Sequence, residues 1–303
     1  MTPVFKWIPL SIQDTSQRID AGFACPSGLS FGKVTDTLFY HGFPSMNPDK
    51  DTSTKPIWHQ TTTAAYIGPF VAFLATLIII QQIGSDDPSA AWWLKYPEHW
   101  GYPLQAILCI SLVVFWRKHY PRFSLAGSGL AVLMGMVGIT IWLLPPWIHS
   151  QTGFGENGPI PWLKWLGFRT RLDGFDPYQF GNDTPPLLFG AILFFRFLRL
   201  VIAVSLVEEI FWRGFLMPLL SDPDGDWKSR PINQSTTKAL LLTSLAFGLA
   251  HLGPDLAVAL VYGTLTGWVT LKTGNLWAAV LMHAVSNLCL GLFILGTHWW
   301  GLW

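Results

Sequence analysis

The apolar run 186–207 closes on Glu208, Glu209 and Arg213. A run of that length crosses a bilayer core of about 30 Å as a helix. Charge at membrane depth is expensive, about 2.5 kcal/mol or more per group on insertion scales. Groups placed there are expected to face a cavity or each other, which limits the folds open to the chain. On a helix, Glu209 and Arg213 stand at i and i+4 on one face, with the acid on the favourable N-terminal side. They can neutralise each other. Glu208 points about 100° away and lacks that partner, so it is the carboxylate left for chemistry. The bland alternative is a purely structural ion network at a membrane boundary.

The rest of the chain has the same character. Half of its 303 residues are hydrophobic, 12% are charged, and 17 are tryptophan. A charged share near half of the usual 25% or so argues for one polytopic membrane domain over two soluble ones. We expect an all-α bundle of about seven transmembrane helices, near residues 64–83, 102–116, 125–148, 187–215, 238–252, 255–271 and 276–296. Pro145-Pro146 is expected to end or kink the third. Gly127, Gly129, Gly135 and Gly138 in that segment, and Gly263 with Gly267 in the sixth, would let helices approach closely. Trp92, Trp93, Tyr96 and Trp100 read as an interfacial belt. Trp162 and Trp165 fall on an expected short surface helix within the long loop 149–186.

Residues 1–60 are polar and mixed, with no sustained period, and are expected to form a poorly ordered extension ahead of the bundle, 61–303. They show no signal-peptide core. Met46 close ahead of the first span makes a later start the alternative. With the N-terminus in the cytoplasm, the inner loops hold Lys50, Lys55, Arg117, Lys118, Arg122, Lys228, Arg230, Lys238 and Lys272. The outer loops hold Lys95, Lys164, Arg169 and Arg171, so the basic bias favours that orientation. A net charge of +1, with no basic stripe and no Gly-rich phosphate loop, offers nothing to nucleic acid. Cys25, Cys109 and Cys289 form no CxxC pair and read as small apolar fillers.

Three further polar positions interrupt apolar helices. His251 follows Phe247 by four residues, and His283 precedes Asn287 by four, which puts each pair on one helix face. A carboxylate and a histidine can together hold and deprotonate a water. A second histidine and an amide can donate to the oxyanion of a tetrahedral intermediate, each worth about 2.7–4 kcal/mol. That is a kit for peptide hydrolysis without a covalent intermediate. Arg196 and Arg199 find no acidic partner in the other spans.

Taken in order on successive apolar segments, Glu208-Glu209-x-x-x-Arg213, Phe247-x-x-x-His251 and His283-x-x-x-Asn287 resemble the CAAX protease and bacteriocin-processing family of intramembrane glutamic endopeptidases. The resemblance covers residues 186–296, the expected catalytic core. It implies that Glu208 and His251 activate the water and that His283 and Asn287 stabilise the oxyanion. Glu209, Arg213 and Phe247 would support the site. No cofactor is implied. The substrate implied is a membrane-associated protein or peptide cut near its C-terminus or within the bilayer. The location implied is an integral, multi-pass membrane protein, in the cell membrane if bacterial. Three alternatives stand beside this reading. One is a zinc-dependent membrane protease, since two histidines and a glutamate are a known zinc set, although HExxH is missing. Another is a catalytically silent binding or immunity protein. The third is a proton-relaying transporter, against which no inverted repeat of the hydropathy pattern is seen.

Overall fold

The structure, a computed structural model, describes residues 61–303 apart from 157, 173 and 179–184. The expected extension 1–60 lies outside the described residues, apart from its boundary. Among the described residues there is no strand, and seven helices exceed ten residues. They are α1 (Thr62–Ile83), α2 (Glu98–Phe115), α3 (Ser128–Thr152), α4 (Pro186–Ser221), α5 (Thr237–Ala250), α6 (Leu256–Thr273) and α7 (Leu276–Thr297). Helices α1, α3, α4, α6 and α7 are long and apolar enough to cross a membrane; α5 is apolar but only 14 residues long. Many large apolar side chains point outward, among them Ile79, Leu108, Leu133, Leu241 and Leu292. Such an exterior suits lipid, the one solvent in which apolar surface needs no cover.

Local chemistry explains most helix ends. The Thr61 hydroxyl accepts from the Ala64 amide at 3.1 Å, and the Thr236 hydroxyl from the Ala239 amide at 3.1 Å, each serving an otherwise unpaired donor. Helix α6 ends on Gly274 at φ 61°, a left-handed cap that glycine adopts at no steric cost. Asn275 then caps α7 through its side-chain oxygen and donates Nδ2 to the Ser124 and Ala126 carbonyls, tying α7 to the entry of α3.

The third span does not end at its two prolines. Helix α3 continues through Pro145 and Pro146, both buried, and stops only at Gly153, φ 66°. A proline removes one helical hydrogen bond but keeps a helical φ. Here packing carries the helix onward: Gly167 of the long loop lies so close that a β-carbon on it would stand 3.2 Å from Pro145 Cβ. Trp162 and Trp165 are exposed on a short 3-10 turn, Pro161–Leu166.

Helix α4 is 36 residues, about 54 Å at 1.5 Å per residue, so it outruns the bilayer core. It is not uniform. Two π-helical turns, Leu198–Val204 and Trp212–Leu216, flank the α-helical turn Ser205–Phe211. Such turns are uncommon and concentrate at functional sites. Around α4 the helices pair as α1 with α2, α3 with α7 and α5 with α6. Small residues set the spacing. A β-carbon at Gly135 would meet the Met282 carbonyl at 2.8 Å, one at Gly138 the Tyr262 ring at 2.7 Å, and one at Gly267 Leu240 at 2.6 Å. Gly129 faces open space and takes no part in this packing.

Candidate active site

Between its π-turns α4 buries both acids, and the two have different surroundings. Glu209 is fully buried, and Arg213 Nη1 lies 3.0 Å from each of its carboxylate oxygens. The i, i+4 spacing alone brings this pair together. Arg213 also donates Nη2 to the Gly263 carbonyl of α6 at 3.0 Å, and its guanidinium lies 4.9 Å from the Phe247 ring centre. The motif arginine is thereby fixed between α4, α5 and α6.

Glu209 has a second partner that spacing does not reveal. His283 of α7, 74 residues away, places Nδ1 2.7 Å from Glu209 Oε1. A carboxylate engaged by an arginine accepts, so His283 Nδ1 donates and its Nε2 is turned to the other side. The His283 ring meets Tyr262 edge-on at 5.7 Å. The Tyr262 hydroxyl donates to Ser286 Oγ at 3.0 Å, and Ser286 donates to the Gly135 carbonyl at 2.8 Å. Helices α3, α6 and α7 are stitched together behind the histidine.

His251 sits just past the last residue of α5. Its Nδ1 is 2.8 Å from the Phe247 carbonyl and its ring lies against the Phe247 ring, 4.4 Å between centres. A carbonyl oxygen only accepts, so Nδ1 carries the proton and Nε2 the lone pair in the neutral ring. Asn287 donates Nδ2 to the Leu200 carbonyl, inside the first π-turn, at 2.7 Å, which leaves its second amide hydrogen. Glu208 is 6% exposed, and its buried Oε2 has no hydrogen-bond partner among the described residues.

One cavity collects these groups. Glu208, His251, His283 and Asn287 all line it, with apolar walls that include Leu200, Val204 and Trp303. Glu209 and Arg213 are not on its wall. Tyr262, Ser286, Trp142 and Asp255 do line it and were not singled out from sequence. Nothing in their spacing marks them, because each reaches the cavity from a different helix or loop. Asp255 also anchors the long loop through a two-pronged contact with Arg171, 2.5 and 3.3 Å. Among the described residues no three His, Cys, Asp or Glu side chains are grouped to hold a metal ion.

Residues 190–289 match the family model described as type II CAAX prenyl endopeptidase Rce1-like. Over this segment, about a third of its length, the chain is similar to the Rce1-like family. Its bounds run from within α4 to within α7 and take in all seven motif residues. Neither a curated protein nor a solved structure matches the chain. The Rce1-like family is a protease family, and with five helices of membrane-crossing length the chain is an integral membrane protein. Helices α1, α2 and α3 lie outside the Rce1-like segment, yet α3 supplies Trp142 to the cavity wall and Gly135 to its support.

Proposed function

We propose that this protein is an intramembrane endopeptidase. It hydrolyses a peptide bond near the C-terminus of, or within, a membrane-associated protein. The observation that carries the reading is the convergence of Glu208, His251, His283 and Asn287 on one cavity, with the buried Oε2 of Glu208 free of hydrogen-bond partners among the described residues.

In this reading Glu208 removes a proton from a water held against His251 Nε2. The oxygen attacks the substrate carbonyl carbon. The tetrahedral oxyanion accepts from the second Asn287 amide hydrogen and from His283 Nε2–H. His283 donates there only as an imidazolium, because its Nδ1–H is given to Glu209. Glu209 then lies between two positive groups, Arg213 and His283, and balances the charge of the donor. The proton taken up by Glu208 passes to the leaving amine as the carbon–nitrogen bond breaks, giving a carboxylic acid and an amine. Apolar walls exclude bulk water and strengthen each electrostatic term. The basic loop residues support a cytoplasmic N-terminus, which puts Glu208 toward the cytoplasmic side of α4.

The test is cleavage of a membrane-anchored peptide by purified protein, paired with mass spectrometry of C-terminal ends in cells. Neo-C-termini should appear with the natural chain and disappear with Glu208→Gln. Equal amounts with both would remove the proposed base.

One observation favours a second reading. A histidine whose far nitrogen is fixed by a carboxylate is the usual outer support of a metal ligand, and Glu209 supports His283 in that way. We favour the metal-free reading because the acids and histidines of the cavity are not grouped as a ligand set. Activity should survive strong chelators; loss restored only by zinc would reverse the choice.

A further inference from the structure

The cavity that holds Glu208 is too small for a peptide. Its volume is about 90 Å³, room for a few waters. Sites that take a drug-sized ligand run to about 300–1,000 Å³, and a peptide lying across the bond to be cut is no smaller. A wall must move before a substrate reaches Glu208.

Most of that wall is helix locked to helix. Asn287 holds the Leu200 carbonyl, and the run Tyr262–Ser286–Gly135 ties α6, α7 and α3. The segment that follows α7 is built differently. The backbone turns back at His298, makes the short 3-10 turn Trp300–Leu302, and lays Gly301, Leu302 and Trp303 against the cavity as part of its wall. Trp303 is 1% exposed.

Two features make this closed placement unfavourable. Trp303 meets Phe197 edge-on at 5.9 Å and Phe175 at 6.4 Å, but its Nε1–H is buried without a hydrogen-bond partner among the described residues. A buried donor left unserved costs its lost hydration. His298 stands at φ 59°, the one non-glycine residue with a positive φ among those described. A side chain with a β-carbon is strained there and stays only while its surroundings hold it.

Arg171 supplies that hold. Its carbonyl accepts from the Gly301 amide at 3.0 Å. Its guanidinium grips Asp255, on the cavity wall four residues after His251. One buried residue of the long loop thus fastens the segment to the turn that carries a site histidine.

We propose that residues 299–303 form a gate over the catalytic cavity, latched by Arg171 and hinged at His298, which the substrate displaces in order to bind. This rests on the endopeptidase reading and adds a regulation of that same site. A peptide is admitted only where it binds the open form well enough to offset the contacts that the segment gives up. Apparent affinity falls by the fraction of molecules that stand open.

The test uses the full chain in bilayers and a membrane-anchored peptide. A disulfide spans about 4.4–6.8 Å between Cα atoms, the separation of two residues that share a backbone hydrogen bond. Arg171→Cys with Gly301→Cys therefore lets oxidation tie the gate shut, and mass spectrometry verifies the bond. The oxidised variant should cut at least about 10-fold more slowly in kcat/KM than its reduced form, the effect of holding nine-tenths of the molecules closed, with the change in KM. Reductant should restore the rate, and the natural chain should respond to neither treatment. A bonded variant that cuts as fast as its reduced form overturns the gate; where Glu208→Gln abolishes that cutting, the endopeptidase stands. A second measurement needs neither the bond nor cleavage and decides alone if the bond does not form. Leu302→Cys in the Glu208→Gln chain should react with a maleimide at least about 10-fold faster once the peptide saturates binding. Equal labelling with and without bound peptide overturns the gate. If no membrane-anchored peptide is cut by the natural chain or the reduced variant, the endopeptidase reading fails and the gate with it.

Discussion

Glu209 Oε1 lies 2.7 Å from His283 Nδ1, while Arg213 Nη1 lies 3.0 Å from the same carboxylate. One buried negative charge therefore holds a cation on its own helix and an imidazole from another. In the proposed mechanism the second acid orients His283, and the first, Glu208, whose buried Oε2 has no hydrogen-bond partner among the described residues, is the base. This division comes from neighbours, since both are glutamates one residue apart on one helix.

Breaking the Glu209–Arg213 pair from either side should destabilise the bundle. Removing one member of a buried pair leaves a charge without compensation, at about 3–5 kcal/mol. Glu209→Gln and Arg213→Met should each lower the unfolding midpoint in detergent. The double variant should lose less than the two added together. Strict additivity would show that the two groups do not sense each other.

Glu208→Gln should behave in the opposite way. Cleavage should fall about 10²–10⁴-fold, the range for loss of a general base. Stability should stay within about 0.5 kcal/mol, since the buried Oε2 serves no hydrogen-bond donor among the described residues. Thermal unfolding beside the cleavage assay separates the two effects, and a variant that unfolds early would argue for a structural Glu208.

Asn287→Ala should lose on both counts. It removes the hydrogen bond to the Leu200 carbonyl, about 1–3 kcal/mol for a buried acceptor left unserved. As an oxyanion donor it should also lower kcat about 10²–10³-fold. A drop in stability with kcat intact would confine the amide to bracing the π-turn.

Gly135 and Gly129 make a matched pair in α3. Gly135→Ala places a methyl 2.8 Å from the Met282 carbonyl, which cannot move without moving α7. Overpacking of this sort costs about 1–3 kcal/mol. Gly129→Ala meets nothing within 4 Å and should be neutral or stabilising by up to about 1 kcal/mol, because alanine favours helix. Unfolding midpoints of the two variants check this; equal effects would mean that α3 and α7 are not in close contact.

Much of the fold was legible in the chain. Apolar runs of bilayer length marked the helices, because lipid forces the backbone to satisfy itself within each segment. Spacing of four paired Glu209 with Arg213 and separated Glu208 from both, because one helical turn is a local geometry. Two local rules failed where packing overrode them. Pro145 and Pro146 do not end α3, and Gly167 of the long loop packs against Pro145. Gly129 fits a helix-packing pattern and touches nothing.

By itself the sequence determined that this chain is a bundle of membrane helices, and which side chains share a face within one helix. Tertiary structure alone decided that Glu209 reaches His283 across 74 residues, that Asn287 spends one hydrogen on the Leu200 carbonyl, and that aromatic rings from α2, a loop and the C-terminal segment enclose Arg196. The physical reason is range. A periodic pattern encodes the turn of a single helix, whereas contacts between helices depend on which residues are small enough to let two backbones meet, and at what angle.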